Sequence, residues 1–288
     1  MVERATKPFF NRLALVFDFD STLAPSSYER LLEAMDVEPN QFFEERIQPL
    51  LDDGWDSILA RFFCIIDEAQ RRDDIKLDDK LIRDVGKNLE LYEGVAEMFD
   101  QVRDCAHEII DDIEVEFYLL TAGILDLAAA TSIAGEFDAM WGGEFHCAKD
   151  GEAVFAKQII THPEKVRYIL QLAKGLSPRG PNGPSDVYRY VPAEEWHVPF
   201  TQMIYVGDGA SDMPAFSLME ERNGIAIGVY KEDRADEWRG LEDVHPGREV
   251  LNLAPVDYAE DSELMQSLRY AVEAVCNRIA LRRLSQGE

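Results

Sequence analysis

Residues 13–17, Leu-Ala-Leu-Val-Phe, form an unbroken apolar run that ends abruptly on Asp18-Phe19-Asp20. A short run of this kind, bounded by polar residues, predicts a strand covered on both faces in a parallel sheet. Similar runs occur at 115–120, 202–206 and 224–230, with a last candidate strand at 249–253. Apolar residues recur at helical spacing over 95–106, 124–133, 166–172 and 262–284. Two strand-like stretches, 144–148 and 152–160, flank Lys149-Asp150-Gly151, and Asp-Gly in that setting predicts a hairpin. Thr161 as a cap and Pro163 in the first turn predict a helix start, which puts Lys165 in that first turn.

One block breaks this rhythm. Residues 25–94 contain no good strand, and apolar positions at helical spacing cover 28–35, 55–69 and 77–91, with a short segment at 47–51. A strand-to-helix loop ordinarily takes ~2 to 6 residues, so an all-helical insertion follows the two aspartates. The pattern predicts an α/β fold with a Rossmann-like parallel sheet and helices on both faces, built from residues 1–24 and 95–288. Residues 25–94 form a helical cap, with Ser21 to Pro25 as its hinge and Trp55, Phe62 and Phe63 in its core. Residues 175–200, rich in Pro and Gly, read as a long loop.

Composition narrows the function. No apolar run reaches the ~18 to 20 residues of a spanning helix, and the first residues lack a signal-peptide core, which predicts a cytoplasmic protein. Cys64, Cys105, Cys147 and Cys276 are widely separated and form no Cys-x-x-Cys pair, so they read as reduced thiols in the protein interior. Fifty-six acidic residues against 29 basic ones give a formal net charge of −27. That field repels nucleic acid and anionic membranes, and excludes both as partners. It would also repel a phosphorylated substrate, so any phosphate site needs local positive charge or a metal ion.

Four stretches place polar groups just past predicted strands or at a helix start: Asp18 with Asp20, Thr121-Ala122-Gly123, Lys165, and Gly207-Asp208-Gly209-Ala210-Ser211-Asp212. Open α/β sheets bind ligands beyond the carboxyl ends of their strands, so one site can collect all four. Gathered carboxylates repel one another unless a hard cation joins them, and oxygen-only ligands with a phosphate favour Mg²⁺. Asp18 is the candidate nucleophile towards phosphorus, and Asp20 the acid that protonates the leaving oxygen. Thr121 and the backbone N–H groups near Thr22 and Ala122 suit phosphoryl oxygens, with Lys165 neutralising charge. Lys157 is the rival lysine, but it falls in the hairpin. Asp208 reads as a metal ligand, and Asp212 as the residue that orients Lys165 or a metal-bound water. Gly207 and Gly209 let the backbone approach the ion, and Ser211 supports Asp212.

Asp-Phe-Asp-Ser-Thr-Leu at 18–23, Leu-Leu-Thr-Ala-Gly at 119–123, Lys165 and Gly-Asp-Gly-Ala-Ser-Asp at 207–212 resemble, in order and context, the four motifs of the haloacid dehalogenase-like hydrolase superfamily. The resemblance leans towards its phosphoserine phosphatase-like branch with a C1-type helical cap. It implies a Mg²⁺-dependent phosphatase for a small phosphorylated metabolite, an aspartyl-phosphate on Asp18, and a metal held by Asp18, the main-chain carbonyl of Asp20 and Asp208. A nucleotidase, a phosphomutase or a catalytically silent binding protein on the same fold are the alternatives, as a monomer or homodimer. Three features depart from the branch: Ala122 replaces its usual Gly, Ser211 its usual Asn, and its cap glutamate has no counterpart at the expected spacing. Glu29 lies nearby but shifted, and Arg61 is the candidate cap arginine.

Overall fold

The computed structural model describes residues 11–177, 183–209, 211–231 and 252–285. Seven strands form one sheet: β1 (Arg12–Phe17), β2 (Glu114–Ile124), β3 (Ala139–Cys147), β4 (Ala153–Gln158), β5 (Met203–Gly207), β6 (Ile225–Tyr230) and β7 (Asn252–Pro255). Their order is β4-β3-β2-β1-β5-β6-β7. All neighbours are parallel except β3 and β4, which pair antiparallel as the Asp-Gly hairpin requires. Apolar alternation sends β1 into two helical layers at once. Leu13, Leu15 and Phe17 pack towards α6 (Val95–Ile109) and the closing helix α10 (Glu263–Ser285), whereas Ala14 and Val16 face α8 (Lys165–Ala173) and α9 (Met213–Glu221). β1 is therefore buried on both sides, and only its polar tip is left for chemistry.

The helices after β1 are α1 (Ser27–Ala34), α2 (Pro39–Phe42), a π-helical turn (Phe43–Ile47), α3 (Gln48–Asp52), α4 (Ser57–Arg71) and α5 (Asp79–Lys87). Side-chain caps start several of them: Asp56 accepts from Ile58 N and Leu59 N, and Asp78 from Lys80 N and Leu81 N. They bury their own apolar cluster, which includes Leu31, Leu32, Ile65 and Phe62, against Ile124, Leu127 and Phe145 of the sheet side. Phe62 fits there because Gly143 has no side chain: a Cβ at that position would lie 2.4 Å from the Phe62 ring. The chain re-enters the sheet layers at Gly94, whose φ of +77° and whose would-be Cβ, 2.1 Å from Tyr258 O, both demand glycine.

Several expectations need correction. β2 does not stop at Leu120; it continues to Ile124, because pairing with β3 resumes at Ile124↔Gly143 after a register shift. The helix expected over 124–133 is one turn, α7 (Leu125–Ala128). Thr161 does not cap α8; Glu164 precedes it without a side-chain cap, after a turn in which Glu164 N bonds Thr161 O at 3.0 Å. Trp55 and Phe63 are 36 % and 43 % exposed with their rings 5.1 Å apart, so of the three aromatics only Phe62 is core. Residues 183–188 and 193–195 of the long loop form 3-10 turns, while 178–182 lie outside the described residues. The last strand sits at β7, and 249–251 of the stretch expected for it also lie outside them. Cys64 and Cys276 are buried free thiols; Cys105 and Cys147 are half-buried. No described helix is long and apolar enough to cross a membrane.

Candidate active site

The tips of β1, β2 and β5 and the start of α8 meet at a cavity of about 290 Å³ that also touches the inserted helices. After Phe17 the chain turns tightly: Thr22, Leu23 and Ala24 all donate to Phe19 O, and Ser21 takes the left-handed conformation at φ +59°. The turn leaves Asp18 buried at the cavity floor and brings Asp20 onto its wall. Asp20 Oδ1 accepts Ser27 N at 2.6 Å, which ties this carboxylate to the start of α1. Its other oxygen needs Gly123: a Cβ there would lie 2.2 Å from Oδ2.

Lys165 is fully buried, with Nζ 3.1 Å from Asp18 Oδ1 and 2.6 Å from Asp212 Oδ1. Asp212 is saturated. Its Oδ1 also accepts the Tyr205 hydroxyl at 2.6 Å, and its Oδ2 accepts Asp208 N at 3.0 Å and Ser211 Oγ at 3.3 Å. Asp18 Oδ1 is buried and receives no hydrogen bond, the lysine ammonium being its ion-pair partner. Ligand oxygens of Asp18, Asp208 and Asp212 lie within 4.8 Å of one another. Since Asp212 is spent on its donors, Asp18 and Asp208 are the side chains with capacity for a cation. A hard divalent ion fits this oxygen-only set.

Electrostatics follow from burial. Desolvation pushes the Asp18 carboxyl up to about 7 against the downward pull of Lys165, with Asp212 and Asp20 adding to the rise. Burial likewise raises Asp20, partly offset by the Ser27 N–H, and holds Asp208 well above the usual carboxylate range, where Asp212 and Asp18 crowd it. For Lys165 burial alone would lower the ammonium, but Asp18 and Asp212 win and hold it above the ordinary lysine value, so it stays charged.

These shifts set a sign for stability. A carboxyl raised in the fold adds stability below its unfolded pKa of 3.8, and that advantage is lost as pH rises through the folded value, about 7 for Asp18. Without metal the cluster should therefore be less stable at pH 8 than at pH 6. Mg²⁺ at a hundredfold excess over its Kd should add about 2.7 kcal/mol at pH 8, and less at pH 6 where protons compete. Thermal melts with and without Mg²⁺ at the two pH values check this; an equal or larger Mg²⁺ shift at pH 6 would contradict it.

Of the residues singled out from sequence, Asp18, Asp20, Thr121, Ala122, Asp208, Ser211, Glu29 and Arg61 line the cavity. Lys165 and Asp212 lie buried beside it, and Gly209, at φ +147°, turns the loop after β5. Thr22 is fully buried off the cavity wall, with its N–H donated to Phe19 O and its carbonyl accepting the Tyr258 hydroxyl at 3.0 Å. Thr121 Oγ1 accepts Gly123 N at 2.9 Å. Lys157, the rival lysine, pairs with Glu144 at 2.7 Å on β4. Sequence reasoning missed Tyr205, taken only as an apolar strand residue, and His162, taken only as part of a helix start; both carry polar groups next to a motif, which was the available signal. It also passed over Ser57 and Lys231, which line the cavity.

The strand order, the antiparallel edge hairpin, the helices inserted after β1 and the carboxylates at the tips of β1 and β5 make this a haloacid dehalogenase-like fold. Solved structures share it. A probable phosphoserine phosphatase of Vibrio cholerae superposes with a TM-score of 0.57 at 12% identity, covering 94% of this chain and 68% of that one. A phosphoserine phosphatase with a phospho-aspartyl intermediate analogue gives 0.54 at 12% identity over 90% of this chain and 99% of that one. A HAD family hydrolase of Salmonella enterica serovar Typhi gives 0.53 at 14% identity over 79% of this chain, which spans 65% of that protein, just under two thirds. In sequence, an uncharacterized protein of Borreliella burgdorferi is 24% identical over 237 residues, 73% of this chain and 79% of that protein. No family model matches the chain.

Proposed function

We propose that the protein is a Mg²⁺-dependent phosphatase that hydrolyses a small phosphorylated metabolite through an aspartyl-phosphate on Asp18. The observation that carries this reading is the buried Asp18 at the cavity floor, 3.1 Å from the Lys165 ammonium and sharing the cavity with Asp20. An Asp18 oxygen attacks phosphorus, the bond to the leaving oxygen breaks, and Asp20 gives that oxygen its proton. Asp20, now ionised, takes a proton from water as the water attacks the aspartyl-phosphate, and orthophosphate leaves with Asp18 restored. A raised Asp20 pKa suits the first half, because a proton must be present to give. Lys165 balances the charge on the phosphoryl oxygens, and Thr121 offers its hydroxyl proton to one of them while Gly123 N fixes its oxygen.

Asp18, Asp208 and the main-chain carbonyl of Asp20 would hold Mg²⁺. When bound, the ion draws negative charge from the phosphoryl group and lowers the repulsion between carboxylates. Asp212 is a positioning residue, which fixes Lys165 through a 2.6 Å bond. The inserted helices of residues 25–94 act as a cap over the cavity, and keep bulk water from its floor. Arg61 belongs to that cap, with its guanidinium over the Tyr28 and Phe43 rings and no carboxylate partner among the described residues, and offers donors to the non-phosphate end of the substrate beside Glu29.

The reading is tested by hydrolysis of p-nitrophenyl phosphate and a panel of metabolite phosphates in Mg²⁺ and in EDTA. Turnover that needs the metal is expected. Absence of turnover across the whole panel would favour a silent binding protein on this fold.

A further inference from the structure

His162 occupies a place that the proposed chemistry does not use. It lies in the turn between β4 and α8, three residues before Lys165, and its carbonyl accepts Lys165 N at 3.3 Å. Its side chain lines the cavity together with Ser57 and Arg61 of α4. The turn thus fixes a second group in the same segment that delivers the lysine. Among the described residues neither the imidazole nor the Ser57 hydroxyl makes a hydrogen bond, although both are partly withdrawn from water. Half-buried polar groups on a cavity wall are satisfied by water until a ligand group replaces it. Here the cavity is the space from which a partner can come.

The donors and acceptors that His162 and Ser57 turn to the cavity indicate what that partner is, and the charge of the imidazole agrees with them. Burial and then Lys165 lower its pKa, Asp212 and Asp56 oppose these two less strongly, and Arg61 adds a smaller downward push. These groups come from both sides, Lys165 and Asp212 from the sheet side and Arg61 and Asp56 from the inserted helices. A neutral imidazole presents one N–H donor and one bare nitrogen acceptor, which matches a hydroxyl group. It offers no charge to a carboxylate or to an ammonium group. Ser57 has the same dual capacity.

Resting on the phosphatase reading, we propose that His162, with Ser57, binds a hydroxyl group on the leaving-group side of the substrate, so that the preferred substrates are hydroxylated phosphomonoesters such as polyol or sugar phosphates. His162 is then a specificity residue, distinct from the carboxylates that act on phosphorus.

The test compares kcat/KM for glycerol 3-phosphate and propyl phosphate, which share a carbon chain and differ in hydroxyls, with p-nitrophenyl phosphate as a third substrate. The unmutated protein should favour glycerol 3-phosphate by about tenfold or more, the worth of one good hydrogen bond in a partly buried site. His162→Phe should lose about tenfold more on glycerol 3-phosphate than on propyl phosphate, and His162→Gln, which keeps a donor and an acceptor, should recover most of the preference. An unmutated protein that does not prefer the hydroxylated ester, or a His162→Phe loss equal for all three substrates, would overturn the proposal. No hydrolysis of these three or of any ester in the metabolite panel would overturn the phosphatase reading itself, so the two failures are separable.

Discussion

On the proposed mechanism, Asp18→Asn is expected to lower phosphate-ester turnover by roughly 10³-fold or more while leaving the melting temperature unchanged or raised. Asparagine keeps the shape of the side chain, but its amide oxygen carries no charge and is a poor nucleophile, so the proposed covalent step should fall to near background. Binding and charge neutralisation survive, because Lys165 keeps its 2.6 Å contact to Asp212. Stability behaves oppositely. Asp18 is 4 % exposed and burial disfavours its ionised form, so a neutral group there removes a desolvation penalty at neutral pH. Acid-quenched enzyme, after incubation with labelled substrate, should carry phosphate in the unmutated protein and none in the variant. Turnover within tenfold of normal, or a label that persists, would place the nucleophile elsewhere.

The same residue shows how much of the site is legible in the amino-acid sequence. Asp18 stood out because β1 is buried on both faces, which makes its sequence an apolar run with an unmistakable polar end. The motifs at Thr121 and Asp208 shared that logic, Lys165 was marked by the helix start after Pro163, and the helical insertion announced itself by the lack of strand runs over 25–94. What escaped was set by contacts between distant segments. β2 continues past Thr121 only because β3 supplies partners after a register shift. Phe63 of α4 and Trp55 just before that helix stay exposed while Phe62 is received by Gly143, and a broad apolar stripe does not reveal which part of it is covered. Tyr205 shows the converse: its ring packs in the core with Phe216, so its period looks apolar, yet its hydroxyl fixes Asp212. Such a role depends on where the next turn places a carboxylate.

Lys165→Met should be the most destabilising single change in the site. The side chain is fully buried and faces Asp18 and Asp212, so methionine, close in length but neutral, leaves three crowded carboxylates without their cation. Breaking a buried pair by removing one partner costs about 3–5 kcal/mol, a large part of the ~5 to 15 kcal/mol that holds a domain together. Because the orphaned carboxyls can take up protons, the loss should be larger at pH 8 than at pH 6, and Mg²⁺ should recover part of it if Asp18 and Asp208 hold the ion. Lys157→Met is the matched control. Its ammonium pairs with Glu144 at 2.7 Å, and although Glu144 is largely buried the lysine itself is 59% exposed, so water can take its place and a clearly smaller loss than for Lys165→Met is expected. Urea unfolding of both variants at the two pH values, with and without Mg²⁺, measures the difference. Equal small losses would mean that the lysine beside Asp18 is not what keeps these carboxylates together.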